Sequence, residues 1–135
     1  MSSTRSSALP IALVALVASG CALQMDLPAG FLQLQTSGDQ IKATTPDGAR
    51  LWVREFDDRE RGELSFWADA LREDLVENRG YALLGSDSIR DASGRDGVVQ
   101  RYTANDDGVL HGYLIAIFVV EGWFSNAIRA AEFAV

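Results

Sequence analysis

The sequence predicts an α+β fold: an antiparallel β-sheet with one long amphipathic helix packed on it. Three observations lead there. Short segments with strand-like alternation, separated by turn formers, lie on both sides of residues 63–78. That stretch carries the best helical periodicity in the chain, and an uninterrupted apolar run follows from Tyr113 to Val120.

Phe31 to Gln35 alternates apolar and polar residues and reads as a short strand. Ile41 to Thr45 and Leu51 to Phe56 read as the next two, joined by Thr45-Pro46-Asp47-Gly48. Pro46 presets the first turn position and Gly48 tolerates a positive φ, so the pair is expected to be a hairpin. In the third strand Leu51, Val53 and Glu55 face one side, and Trp52, Arg54 and Phe56 the other.

From Glu63 to Asn78, Leu64, Trp67, Leu71 and Leu75 recur at spacings of three and four, with Phe66 and Ala70 widening the apolar face. Asp69, Arg72, Glu73 and Glu77 occupy the other side. Asp57, Asp58, Glu60 and Glu63 suit the positive end of the helix dipole, and Gly80 suits the position just past the C-terminus.

Beyond the helix, Tyr81–Leu84 and Asp87–Asp91 read as two extended pieces, and Ser93-Gly94-Arg95-Asp96-Gly97 as a turn. Val98–Ala104 is a further strand, and Asn105-Asp106-Asp107-Gly108 is a strong hairpin signal. The eight apolar residues from Tyr113 fit a central strand buried on both faces and are far too few to span a membrane. Ala127–Val135 is open to strand or helix. A turn at Glu121-Gly122-Trp123 favours the strand.

The first twenty residues differ in composition from all that follow. A polar segment with Arg5 precedes an apolar stretch, Ala8–Ala18, whose length is that of a signal peptide rather than a spanning helix. Cys21 is the sole cysteine, so it has no intramolecular disulfide partner. A buried, inert thiol and an uncleaved signal anchor are the plainer alternatives. Val17-Ala18-Ser19-Gly20-Cys21 resembles the lipobox of bacterial lipoproteins. The resemblance implies cleavage between Gly20 and Cys21 and a lipid on the Cys21 thiol. It also implies a cell-envelope location, at the outer membrane facing the periplasm, since Ala22 is not the aspartate that favours inner-membrane retention. The expected organisation is a signal peptide over 1–20, a lipidated tether over 21–30 that ends in Leu27-Pro28-Ala29-Gly30, and a single domain over 31–135.

The chain carries 19 acidic against 12 basic side chains, a net charge of −7. Such a surface gives no electrostatic footprint for nucleic acid and no means of holding an anionic membrane, so the expected membrane contact is lipid on Cys21. An envelope protein is the other expected partner.

Catalytic chemistry finds little support. The one histidine is His111, and Ser65, Ser86, Ser88 and Ser93 all lie outside a Gly-x-Ser-x-Gly elbow. Zinc-ligand spacings are absent, and no metal or cofactor is expected. The doublets Asp57-Asp58 and Asp106-Asp107 point their side chains opposite ways on an extended chain. The stretch Asp91–Gly97 lacks the alternate ligands and final glutamate of a calcium loop. The alternative to a non-enzymatic binding or accessory domain is therefore a small hydrolase or metal-dependent enzyme using His111 and nearby carboxylates. Trp52, Trp123 and Phe124 are the candidate partner or ligand surface, because aromatic side chains carry much of the energy of binding interfaces.

Leu27-Pro28-Ala29-Gly30-Phe31, Thr45-Pro46-Asp47-Gly48, the Trp67 helix, Arg79-Gly80-Tyr81 and the apolar strand together resemble PsbP-like lipoproteins, a class that includes photosystem accessory proteins and DcrB-like lipoproteins. The resemblance runs over Leu27–Val135 and implies a sheet flanked by helices, with no shared catalytic motif. Members of the class close with a C-terminal helix, so it also implies that the tail is that helix, that the fold is trimmed or that the chain is truncated.

Overall fold

A computed structural model describes residues 16–19 and 22–135. The expectations for Gly20 and Cys21, cleavage and lipidation, lie outside the described residues. Two short strands, β1 (Leu16–Ser19) and β2 (Ala22–Met25), pair antiparallel. The rest forms a seven-stranded sheet with one helical segment. Its strands are β3 (Leu32–Ser37), β4 (Gln40–Thr44), β5 (Arg50–Asp58), β6 (Ala82–Arg90), β7 (Asp96–Asp106), β8 (Val109–Val120) and β9 (Asn126–Ala134). All neighbours are antiparallel, in the order β3-β4-β5-β9-β8-β7-β6.

The tail is thus a strand, and it is the middle strand of the seven. It pairs with β5 from Arg50↔Ala134 to Asp58↔Asn126, and with β8 from Tyr113↔Ala134 to Val120↔Ala127. The apolar run expected at the centre lies beside it. Ile115, Ala116, Ile117 and Phe118 are buried in succession, as a strand covered on both faces requires. β8 begins earlier than its apolar part, because Val109–Gly112 continue the hairpin with β7 across the turn at Asp107-Gly108.

Alternation along β5 separates two apolar layers. Leu51 and Val53 join Ile41, Ala43, Ala116 and Phe118 on one face. The stretch expected to serve as a tether reaches this layer: Leu23 is buried in it, and Met25 and Leu27 pack against it, as does Phe31 just beyond. The other face holds Tyr102, Ile115, Ile117, Ile128 and Ala130 beneath the helix.

The helical face follows its sequence periodicity, since Leu64, Trp67, Leu71 and Leu75 all pack on that second layer. The helix is short rather than long, however. Regular α-helix covers ten residues, α1 (Leu64–Glu73), and Asp74–Asn78 continues as a π turn. The wider turn spends an extra residue per revolution, so Val76 packs beside the buried Leu75 instead of rotating away. Phe66 is another departure: it is exposed, and its ring meets the edge of Trp67 at 5.6 Å between centroids. Gln100 docks α1 on the sheet from below, donating from Nε2 to the Ala68 carbonyl at 2.8 Å and accepting from the Tyr102 hydroxyl at 2.7 Å.

Turn chemistry falls where expected at Thr45–Ala49. The Gly48 N–H donates to the Thr45 carbonyl at 3.0 Å with φ +98°, and the Thr45 N–H donates to that of Ala49 at 3.0 Å. The two extended pieces expected over 81–91 are one edge strand, β6, interrupted by a register shift between Leu83 and Gly85. The interruption throws Leu84 outward, which breaks the alternation that would have marked a single strand.

Two predictions follow from this core. Ile128 is fully buried in the middle strand, so Ile128→Ala should cost about 2–5 kcal/mol, read as a lower midpoint in chemical denaturation. Burial holds the Tyr113 hydroxyl well above the ordinary tyrosine range, helped by its hydrogen bond to Glu132 and that carboxylate's charge, and burial also raises Tyr102. Both groups stay protonated in the native state while the unfolded chain ionises. Stability should therefore be undiminished by them below about pH 10 and should fall above it, by a smaller amount in Tyr113→Phe.

Candidate functional site

Three connections converge at one end of the sheet. They leave β5 after Asp58, join β6 to β7 through Asp91–Arg95, and join β8 to β9 through Glu121–Ser125. Each is held by a specific polar device.

Asp58 is the last residue of β5, and alternation turns its side chain inward while Asp57 stays exposed. Its carboxylate accepts the Glu60 N–H at 3.0 Å, the Gly62 N–H at 2.7 Å and the Trp67 indole N–H at 3.0 Å. Burial on its own would raise the Asp58 carboxyl, but these donors outweigh it and hold it below the usual carboxylate range. The acid expected to serve the helix dipole instead folds the loop that leads into the helix. Glu63 sits at the N-cap without a side-chain capping bond.

Asp91 does the same for the next loop. It is buried, and it accepts the Ser93 and Arg95 N–H groups at 2.9 Å each and an Arg95 guanidinium N–H at 2.7 Å. Its oxygens are thus engaged by its own turn. Among the described residues no cluster of three or more metal-ligating side chains occurs.

The third loop carries Trp123 and Phe124, 90% and 92% exposed. Arg61 holds it in place. From a backbone at φ +57°, the guanidinium donates to the Gly122 carbonyl at 2.6 Å and the Trp123 carbonyl at 3.3 Å. A left-handed conformation is unfavourable for a residue with a Cβ, and here the surrounding bonds impose it. Gly122 is required on steric grounds, since a Cβ there would lie 2.4 Å from the Ser125 carbonyl oxygen. Between the loops lies an open cleft of about 580 Å³, lined by Arg61, Glu63, Arg95, Asp96, Glu121 and Asn126 among others.

Trp52, expected with the loop aromatics, lies elsewhere. It sits in mid-strand opposite Glu132, six residues along the strand from the loop end, or about 20 Å. Its indole donates to Gln40 Oε1 at 3.1 Å, and Lys42 and Arg54 lie over its ring at 5.0 and 4.5 Å from the centroid. Arg54 in turn reaches Glu132 at 3.1 Å, and Glu132 accepts the Tyr113 hydroxyl. This is a sheet-face network that already occupies the indole, so Trp52 and the Trp123–Phe124 tip are not one surface.

His111 lies at the opposite end. Its Nδ1 is 3.2 Å from the Val135 carbonyl oxygen, beside a second open cleft of about 690 Å³ that Tyr81, Asp106 and Tyr113 also line. Of the four serines weighed as nucleophiles, Ser93 is at the far end of the sheet, Ser86 and Ser88 are on the edge strand and Ser65 is on the helix. The structure does not bring any of them to His111.

The Arg61 clamp had no signal in the sequence, because it joins residues 62 positions apart. The Asp58 loop was legible in principle, as an Asp side chain commonly closes a turn on the backbone two residues on, here the Glu60 N–H.

The class of protein this defines is a small α+β domain on one antiparallel sheet. No family model matches the chain, and no curated protein does. A solved structure shares the fold. The Saccharomyces cerevisiae Ran-binding protein Mog1p superposes with a TM-score of 0.57 over 86% of this chain and 73% of its own, at 13% identity. Two bacterial proteins align more loosely. One is from Bacteroides thetaiotaomicron, with a TM-score of 0.42 at 19% identity over 80% of this chain and 36% of that one. The other, of unknown function, is from Pseudomonas aeruginosa, with a TM-score of 0.42 at 17% identity over 87% and 80%. At 13% identity the likeness to Mog1p is one of fold alone.

Two measurements check the loop devices. Arg61→Ala should speed amide exchange across Glu121–Ser125 and leave exchange in β5 and β9 unchanged. The depressed Asp58 carboxyl contributes stability that is present above about pH 4 and lost as pH falls through its lower native value. Asp58→Asn should therefore flatten the acid limb of the stability profile measured by thermal unfolding.

Proposed function

We propose that this chain is a lipid-tethered envelope protein, held through Cys21 at the periplasmic face of an outer membrane, whose domain works by binding rather than by catalysis. The observation that carries the binding reading is the Arg61 clamp. A charged side chain in a strained backbone position holds two adjacent aromatic residues outside the fold, where water would otherwise disfavour them. Preorganised exposed aromatic groups suit a contact surface, since little conformational freedom is lost on binding.

The tether reading rests on Val17–Cys21 and the apolar stretch before it. Chain burial contributes about 0.8 kcal/mol per methylene, so a multiply acylated terminus anchors firmly where this acidic surface does not. A PsbP-like relationship belongs to the same proposal. It is supported by the antiparallel sheet with a helix inserted between β5 and β6. An accessory role alongside another envelope component follows from it.

In cell fractionation the native chain should sediment with membranes, and Cys21→Ser should lose the acyl mass. A Cys21 chain with no acyl mass by mass spectrometry would remove the tether. A substrate screen showing turnover that His111→Ala abolishes would remove the non-catalytic reading.

A further inference from the structure

We infer that the Trp123–Phe124 tip enters the interfacial layer of a lipid bilayer, the same bilayer that a lipid on Cys21 engages, so that the domain is held at two points on one end. This rests on the tethered reading above and names what the tip contacts.

The route of the chain carries the inference. The Leu23 N–H donates to the Gly38 carbonyl at 2.8 Å, which puts the start of the described domain at the turn between β3 and β4. That turn belongs to the end of the sheet where β5 finishes: the Glu55 N–H donates to the Asp39 carbonyl at 2.9 Å, and Gln40 pairs with Arg54. β5 then runs on to Asp58, opposite Asn126, the first residue after the tip loop. From Leu23 the chain descends one face to Phe31, whose ring lies 6.0 Å from that of Phe133, and Phe133 pairs with Leu51 near the other end. A domain tethered through the residue before Ala22 therefore hangs by the end from which Trp123 and Phe124 project.

Chemistry selects the bilayer over a protein. Trp and Phe are favoured at the level where headgroups meet acyl chains, and a two-residue tip reaches that layer without needing a broad matching surface. A stable protein interface buries about 800 Å² on each partner, far more than two adjacent side chains on one loop offer. The loop end also carries Arg59, Arg61 and Arg95 beside Glu60, Glu63, Asp96 and Glu121, so it has no excess of positive charge for anionic lipid. Insertion is then apolar and shallow, within about 5–10 Å of the headgroup boundary, with Glu121 keeping the loop from going deeper.

Purified full-length, lipidated protein in phosphatidylcholine vesicles tests this, with brominated acyl chains quenching tryptophan fluorescence. The chain has three tryptophans, and Trp52 and Trp67 are folded against the sheet. The native protein should be quenched, raised salt should leave the quenching unchanged, and Trp123→Ser should lose most of it while still floating with the vesicles. Phe124→Ser should reduce quenching of Trp123 by withdrawing it from the bilayer. Both positions are almost fully exposed, so the variants should keep the native circular dichroism. Flotation with no Trp123-dependent quenching would overturn the insertion and leave the tether standing. No flotation and no acyl mass would overturn the tether, and the insertion with it. A photoreactive group at Trp123 that crosslinks in cells to a protein instead of lipid would assign the tip to a protein partner and overturn the proposal.

Discussion

The fold depends on the pairing of the last strand between two sheet fragments that no other strand ladder among the described residues joins. β3, β4 and β5 form one antiparallel set, and β6, β7 and β8 another. β9 bonds to β5 along one edge and to β8 along the other, and the backbone ladders it completes make a single seven-stranded sheet. Its side chains serve both apolar layers: Ile128 and Ala130 face the helix, and Ala131 and Phe133 face the segment from Leu23 to Phe31. On that second face Arg129 is almost fully buried and bonds through Nε to Glu55 at 2.5 Å, a charged contact between the two strands at the joint. Desolvation of the buried guanidinium offsets much of that attraction.

The place of the C-terminal strand between two antiparallel sets also explains the geometry of the loop end. Because β9 starts there, the connection from β8 must rise out of the sheet and return beside β5, which brings Gly122 and Trp123 within reach of Arg61. Asp58 then becomes a hinge point: its carboxylate shapes the loop that positions Arg61, and Arg61 positions the aromatic tip. Asp91 repeats the solution one connection away. In both loops a buried acid is satisfied by backbone N–H groups of the following turn, joined by the Trp67 indole at Asp58 and by the Arg95 guanidinium at Asp91.

Particular elements show what was legible in the chain. The α1 face, the Thr45–Ala49 turn, the hairpin at Asp107-Gly108 and the buried run Ile115–Phe118 all follow from local periodicity or turn chemistry. β6 reads as two pieces in the sequence because Gly85 and the outward Leu84 break its alternation, and only pairing with β7 reveals one strand. The π turn at Asp74–Asn78 had no local signature. Leu23 lies in a stretch whose residues carry no periodic pattern, and its burial depends on Ile41 and Val53 being beneath it.

By itself the sequence determined the alternation of strands around one helix, the turns, the acidic charge balance and the lipobox resemblance at Val17–Cys21. Each of these is set by residues adjacent or a few positions apart. Only the tertiary structure decided that the tail is the middle strand, that Trp52 and Trp123 are separate, and that Arg61 clamps the aromatic loop. Those outcomes depend on contacts between residues 60 or more positions apart, where periodicity and propensity carry no information and only the closing of the sheet determines which side chains meet.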